Sequence, residues 1–172
     1  MTSGYKYLTA AAIALLSFVT IHAVVSAQGK EQAELAKALQ GITVTLEQGL
    51  SAAASTGTPI SGKYEVEDGK LQLSVYTMKG KQFSEVVVDH KTGRVAKTER
   101  IESGEDLNAA KAQSAAMAKT KESLRAAVDR AVKANSGFRA VSATPELTGG
   151  MPMAKVTLLQ GTTFKTVSEK LN

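Results

Sequence analysis

The stretch that decides the fold is Leu71-Gln-Leu-Ser-Val-Tyr-Thr-Met-Lys-Gly-Lys-Gln-Phe-Ser-Glu-Val86, and a second version of it runs from Met153 as Met-Ala-Lys-Val-Thr-Leu-Leu-Gln-Gly-Thr-Thr-Phe-Lys-Thr-Val167. At an offset of 81 residues the two versions share four positions, Val75/Val156, Gly80/Gly161, Phe83/Phe164 and Val86/Val167. Farther upstream the offset is 78, and it aligns Leu46/Leu124, Leu50/Val128, Ala53/Ala131 and Ala54/Val132. Self-similarity at a nearly fixed period predicts that one supersecondary unit is used twice. The matching positions are packing and turn positions, so the repeat itself points away from catalysis.

Each version of the stretch belongs to a series of short alternating segments, which is the pattern of antiparallel strands joined by tight turns. Asp68-Gly69 and Lys79-Gly80-Lys81 are turn signals of the first series. The first unit is predicted to have strands at residues 63–67, 71–75, 83–88 and 94–101, and the second at 138–144, 153–160 and 163–171. We assign the three-residue change of offset to the turn Thr148-Gly-Gly-Met-Pro152.

A helix is predicted before the strands of each unit. Thr45-Leu-Glu-Gln48 has the spacing of a capping box, and Ser123 stands at the corresponding place before a helix that ends at Asn135. The residues aligned at the offset of 78 are predicted to form the buried stripe of each helix. Residues 31–40 are rich in strong helix formers. Residues 103–119 are rich in alanine, and we interpret them as a solvent-facing helical connector, with a flexible low-complexity linker as the alternative.

The N-terminal segment indicates export. Residues 8–25 are almost wholly apolar, and Val25-Ser26-Ala27 has the small-residue spacing that a signal peptidase accepts. The prediction is a cleaved signal peptide over residues 1–27 and a periplasmic or extracellular mature chain. The alternative is an uncleaved anchor that contacts the inner membrane through residues 8–27.

Composition excludes several classes of site and partner. The chain has no cysteine, which rules out disulfides, thiolate metal sites and thiol nucleophiles. The net charge is only +5 and aromatic residues make up 5% of the chain, a balance too weakly basic and too poor in aromatic residues to indicate nucleic-acid binding. His90 is the only histidine after residue 27, so a nitrogen-rich metal centre cannot form within one chain. We predict no catalytic residue, no metal site and no cofactor.

The turn after the third strand carries a family resemblance. A helix opened by Thr45-Leu-Glu-Gln48, an alternating hairpin, and a strand that ends in Asp89-x-x-Thr92-Gly93-x-Val95 resemble a PepSY domain. The resemblance covers residues 42–101, and residues 123–172 match through the helix and two strands without the Asp-x-x-x-Gly ending. It implies a small α+β domain, exported or membrane-attached and often in tandem. The family also occurs in propeptides of thermolysin-type proteases, where inhibition or folding assistance has been proposed.

The predicted organisation is an α+β chain in five parts. These are a signal peptide or anchor at residues 1–27, an N-terminal helical segment at 28–41, a first PepSY-like repeat at 42–102, a helical connector at 103–122 and a second, truncated repeat at 123–172. Each repeat is expected to lay one helix across a three- or four-stranded antiparallel sheet.

The residues Asp89, Thr92 and Gly93 are predicted to form a structural turn. An aspartate side chain can accept hydrogen bonds from backbone N–H groups two residues on, and glycine adopts positive φ at no steric cost. The alternative is an acid/base pair of Asp89 and His90. Adjacent residues of an extended chain point to opposite faces, which disfavours that pair.

Basic residues concentrate on the first unit, and we predict a partner-binding face formed by Lys79, Lys81, Lys91, Arg94 and Lys97. The alternative is a solvated sheet whose edge lysines discourage aggregation. The expected function is a non-enzymatic protein-binding module that modulates or inhibits an envelope protease or supports an envelope assembly. The second hypothesis is a membrane-tethered structural subunit of a membrane complex.

Overall fold

The chain folds as an α+β protein with one continuous antiparallel sheet. The computed structural model describes residues 19–172. Its helices are α1 (Val19–Ala38), α2 (Leu46–Ala53), α3 (Gly104–Met117) and α4 (Leu124–Ala134), and a short 3-10 helix, Leu39–Gly41, follows α1. Its strands are β1 (Thr58–Glu67), β2 (Lys70–Lys79), β3 (Gln82–Val88), β4 (Val95–Ile101), β5 (Arg139–Thr148), β6 (Met151–Gln160) and β7 (Thr163–Lys170).

The structure describes only the last part of the predicted signal or anchor segment. Residues 1–18, most of the predicted signal or anchor segment, lie outside the described part of the chain. Between residues 19 and 172 no helix combines the length and the apolar character that crossing a membrane requires.

The two units join into a single sheet at their first strands. The strand order is β4-β3-β2-β1-β5-β6-β7, and β1 meets β5 through the pairs Gly62–Ala143 and Lys63–Ser142. Gly62 and Ala143 are equivalent at the offset of 81. A residue pairs with its own equivalent only across a two-fold axis. A local two-fold axis therefore passes through this pair and relates the two units.

Matching irregularities support this symmetry. β1 is bulged between Pro59 and Ser61, and β5 is bulged between Ala140 and Ser142, again 81 residues apart. Each bulge inserts one extra residue and bends its strand near the contact between the units.

The three-residue change of offset lies in the helix, so its assignment to the turn after Thr148 was wrong. The N-cap residues Thr45 and Ser123 are 78 apart, whereas the starts of β1 and β5 are 81 apart. Helix α2 has 8 residues and α4 has 11, which accounts for the difference. The β1–β2 and β5–β6 turns are themselves 81 apart, with Gly69 and Gly150 both at positive φ.

Helices α2 and α4 lie side by side on one face of the sheet and cover the main core. Buried residues of α2 contact those of β1, β2 and β3, and α4 packs on β5, β6 and β7. The predicted stripe was wrong at Ala54, which is exposed because it caps the C-terminus of α2. Gly49 is buried instead.

Helix α3 packs on the opposite face of the sheet, so the prediction of a purely solvent-facing connector was wrong. Successive residues of a strand point to opposite faces of the sheet. Val75 of β2 belongs to the main core, whereas the next residue, Tyr76, packs with Ile60 of β1 and with Ala110 of α3. The Tyr76 hydroxyl donates to Asp106 Oδ1 at 2.6 Å. Small alanine side chains let α3 approach the sheet closely without a stripe of large apolar residues.

Candidate functional site

The turn between β3 and β4 is built around the carboxylate of Asp89. Its Oδ1 accepts hydrogen bonds from Lys91 N at 3.0 Å, from Thr92 N at 2.7 Å and from Thr92 Oγ1 at 2.9 Å. Gly93 has φ of 71° and donates from its N–H to the Asp89 carbonyl at 2.8 Å. The hydrogen bonds from Thr92 and Lys91 lower the pKa of Asp89, because they stabilise the charged form.

The segment before α2 holds this turn in place. Thr43 Oγ1 donates to the Lys91 carbonyl at 2.7 Å, and Val44 N donates to the His90 carbonyl at 3.2 Å. The Val44 carbonyl in turn accepts from the buried Tyr64 hydroxyl at 2.6 Å. Burial raises the pKa of Tyr64 to about 12. The turn is thereby connected through hydrogen bonds to the core of the first unit.

The structure does not join Asp89 and His90 as an acid/base pair. Oδ1 of Asp89 is engaged by the three donors of its own turn. Nδ1 of His90 is buried and has no hydrogen-bond partner among the described residues. Within residues 19–172 no group of three or more acidic or histidine side chains is placed to hold a metal ion.

The five predicted basic residues do not form one patch, because most of them lie in the two turns at opposite ends of strand β3. Lys79 and Lys81 flank the β2–β3 turn, and Lys91 and Arg94 lie in the β3–β4 turn. The 7 residues of β3 separate these turns by about 20 Å, at ~3.3 Å per residue. Lys97 stands between them on β4.

The middle of β4 carries little net positive charge. Lys97 Nζ lies 2.8 Å from Glu99 Oε1, and Arg100 Nε lies 3.6 Å from Glu102 Oε1. The ion pair with Glu99 raises the pKa of Lys97. Between residues 19 and 172, no ion pair involves Lys91 or Arg94, so the β3–β4 turn is the more strongly basic end of this strand.

Strand β4 is an open edge of the sheet. Among residues 19–172 it pairs only with β3, and its residues from Val95 to Arg100 are all exposed. Val95, an exposed apolar residue at 40%, begins the strand directly beside the basic turn. An edge strand presents unpaired N–H and C=O groups along its outer side. The sequence analysis assigned the basic residues and named Val95 only as part of the Asp89-x-x-Thr92-Gly93-x-Val95 motif. It did not identify Thr43 and Val44 as supports of the turn.

Strand β7, the other edge, is partly engaged by its own helix. Arg130 of α4 donates to the Lys170 carbonyl at 2.6 Å and forms an ion pair with Glu169 at 3.5 Å. The two edges therefore differ, and β4 is the more accessible one.

Comparison with known proteins finds no family model that matches the chain, and neither a curated protein nor a solved structure shows significant similarity to it.

Proposed function

We propose that this chain is a non-catalytic, exported protein-binding module made of two PepSY-like repeats, which adds an extended acidic segment of another envelope protein to its sheet beside β4. The observation that carries the proposal is the open β4 edge next to a basic turn of fixed geometry. In strand addition, main-chain hydrogen bonds provide affinity and neighbouring side chains provide specificity.

The charge of the turn supports an acidic partner segment. Lys91 and Arg94 lie within the turn that Asp89 organises, where backbone contacts to Thr43 and Val44 limit its motion. Cationic groups at one end of the strand attract acidic segments and favour one direction along it. Val95 offers the first apolar contact beyond the turn.

A non-catalytic role agrees with the structural hydrogen bonds that the titratable side chains form. The carboxylate of Asp89 stabilises a turn, and Tyr76 and Asp106 join α3 to the sheet. A partner of this kind is an envelope protease or a subunit of an envelope assembly.

Site-specific photo-crosslinking in cells that make the protein tests the proposal. A photoreactive phenylalanine analogue replaces Thr98 on β4, and the matched control carries it at Ala112, an exposed position of α3. We expect Thr98 to label one envelope protein that Ala112 does not label. The double substitution Lys91→Glu and Arg94→Glu should weaken that labelling severalfold. Equal labelling from both positions, or none from Thr98, would contradict strand addition at β4.

A second candidate is a membrane-tethered structural subunit that retains residues 8–27. The observation that favours it is that α1 runs unbroken from Val19 past Ala27, the predicted cleavage point. The intact mass of the crosslinked protein distinguishes the two candidates, since a mature chain that starts at Gln28 has no tether.

A further inference from the structure

An apolar cleft of about 520 Å³ opens between the two units, away from β4. It lies among the C-terminal ends of α2 and α3, the start of β1 and the first turn of α4. Its apolar lining includes Leu50, Pro59, Ile60, Met78, Met117 and Leu124. Small-molecule sites typically enclose roughly 300–1,000 Å³ and are mostly apolar, so the cleft has the size and lining of a ligand site.

The symmetry-related position in the other unit is filled by the protein itself. In sequence, Met117 corresponds to Leu39 at the offset of 78, and Thr58 to Arg139 at the offset of 81. Leu39 is fully buried, and Arg139 Nη2 donates to its carbonyl at 2.6 Å. At the cleft, Met117 is only half-buried and Thr58 is too short to reach across. The opening is therefore a difference between the copies rather than a requirement of the fold.

The lining favours an aliphatic occupant. Leu50, Ile60 and Leu124 form the floor of the cleft and offer no polar side-chain atom. A peptide backbone entering this floor would leave its N–H and C=O groups without partners, which is costly in an apolar setting. A hydrocarbon chain brings no such groups. The methionines Met78 and Met117 can adapt to its shape.

The rim favours a negatively charged head group. Lys121 and Arg125 both line the cleft, beside the positive end of the α4 dipole. The one acidic lining residue, Glu122, is neutralised by its ion pair with Arg130 and accepts from Asn172 N at 3.1 Å. That ion pair lowers the pKa of Glu122. Arg125 lies 3.7 Å from Asp129, a loose and exposed contact.

We infer that this cleft binds a single-chain amphiphile of the fatty-acid class, with its hydrocarbon chain between α2 and α3 and its carboxylate at Lys121 and Arg125. This binding site is separate from β4, so it neither requires nor excludes a protein partner there.

Isothermal titration calorimetry of the purified protein with oleate tests the inference. We expect one oleate per chain and weaker binding of methyl oleate, which has the same hydrocarbon chain without the charge. Ala54→Phe places a ring into the cleft from an exposed position and should abolish binding. Lys121→Ala should weaken binding about two- to fivefold, the range for an exposed ionic contact.

Matched controls separate the cleft from general effects. Ala112→Phe adds the same ring at an exposed helix position elsewhere, and Lys133→Ala removes a charge from the last turn of α4, so both should bind oleate like the wild type. Far-UV circular dichroism checks that each variant is folded. The inference is overturned by absence of oleate binding to the folded wild type, by undiminished binding to Ala54→Phe, by equal affinity for methyl oleate, or by binding of an acidic apolar peptide in place of oleate.

Discussion

The contact between Gly49 of α2 and Leu73 of β2 gives a sharp test of how α2 packs on the sheet. A Cβ added at Gly49 would overlap Leu73 Cδ2 and lie only 3.1 Å from its Cγ. The equivalent positions in the second unit are Ala127, at the offset of 78, and Ala154, at the offset of 81, and both are fully buried. At this contact the first unit thus pairs a glycine with a leucine, whereas the second unit pairs two alanines.

This size exchange predicts a strong energetic coupling. Gly49→Ala gains about 1 kcal/mol of helix propensity but overpacks the core at a cost of about 1–3 kcal/mol, so the free energy of unfolding should fall by about 0–2 kcal/mol. Leu73→Ala alone should lower it by about 2–5 kcal/mol through lost burial and a cavity. In the Leu73→Ala background the clash is gone, and Gly49→Ala should then raise stability by about 1 kcal/mol. The coupling energy is therefore about 1–3 kcal/mol, within the range for residues in contact.

Urea denaturation followed by far-UV circular dichroism measures all four proteins of this cycle. Ala127→Gly is the matched control, because it loses helix propensity without relieving any clash and should lower stability by about 1 kcal/mol. If Gly49→Ala changes stability equally in both backgrounds, to within ~0.5 kcal/mol, the proposed packing of α2 on β2 is wrong.

Two further predictions concern titrating groups near the β3–β4 turn. Tyr64→Phe removes the hydrogen bond to the Val44 carbonyl and should lower the free energy of unfolding by about 1 kcal/mol at pH 8. Because the pKa of Tyr64 is raised from 10.0 to about 12 in the folded protein, the stability that Tyr64 contributes is present below pH 10 and is lost as the pH rises towards 12. In urea denaturation, the gap in free energy of unfolding between wild type and variant should therefore shrink over that pH range. Constancy of that gap from pH 8 to 12 would argue against a buried Tyr64 hydroxyl. Asp89→Asn removes a carboxylate whose pKa is lowered below 3.8, so the wild-type advantage should be present above pH 3.8 and should vanish as pH falls below it in an acid titration followed by circular dichroism. A difference that persists unchanged in strong acid would mean that the charge of Asp89 does not stabilise the turn.

Local sequence patterns predicted the strand segments in which apolar and polar residues alternate without an internal proline or glycine. The alternation around Val75 and the turn glycine Gly80 placed β3 and the start of β2 within one residue of their observed bounds, whereas β2 continues four residues beyond the predicted end at Val75. The start of β1 was missed by five residues, since β1 begins at Thr58 rather than at residue 63. Pro59 and Gly62 disguise that part of the strand. A Cβ at Gly62 would lie 3.0 Å from Leu50 Cδ2, and Pro59 lies beside a bulge.

The contacts that combine distant elements were beyond sequence reasoning. The Asp-x-x-Thr-Gly spacing is local, and so the turn at Asp89 could be anticipated from side-chain chemistry alone. The cleft draws on residues from Leu50 to Arg125, which come together only because β1 pairs with β5. The pairing of Gly62 with Ala143 leaves no local signal, because it follows from the symmetry of the folded units rather than from the pattern of either strand.

The local two-fold axis separates what the fold requires from what each copy adds. Bulges, turn glycines and helix caps occur in both units, and they are sufficient to explain the shared sequence positions as packing. The cleft beside Met117 is closed at its equivalent in the first unit by Leu39. Features that one copy has and the other lacks cannot be explained by folding of the common unit. The repeated stretch therefore builds the scaffold, whereas the cleft is a place where the two units differ, and binding is best sought there and at the open β4 edge.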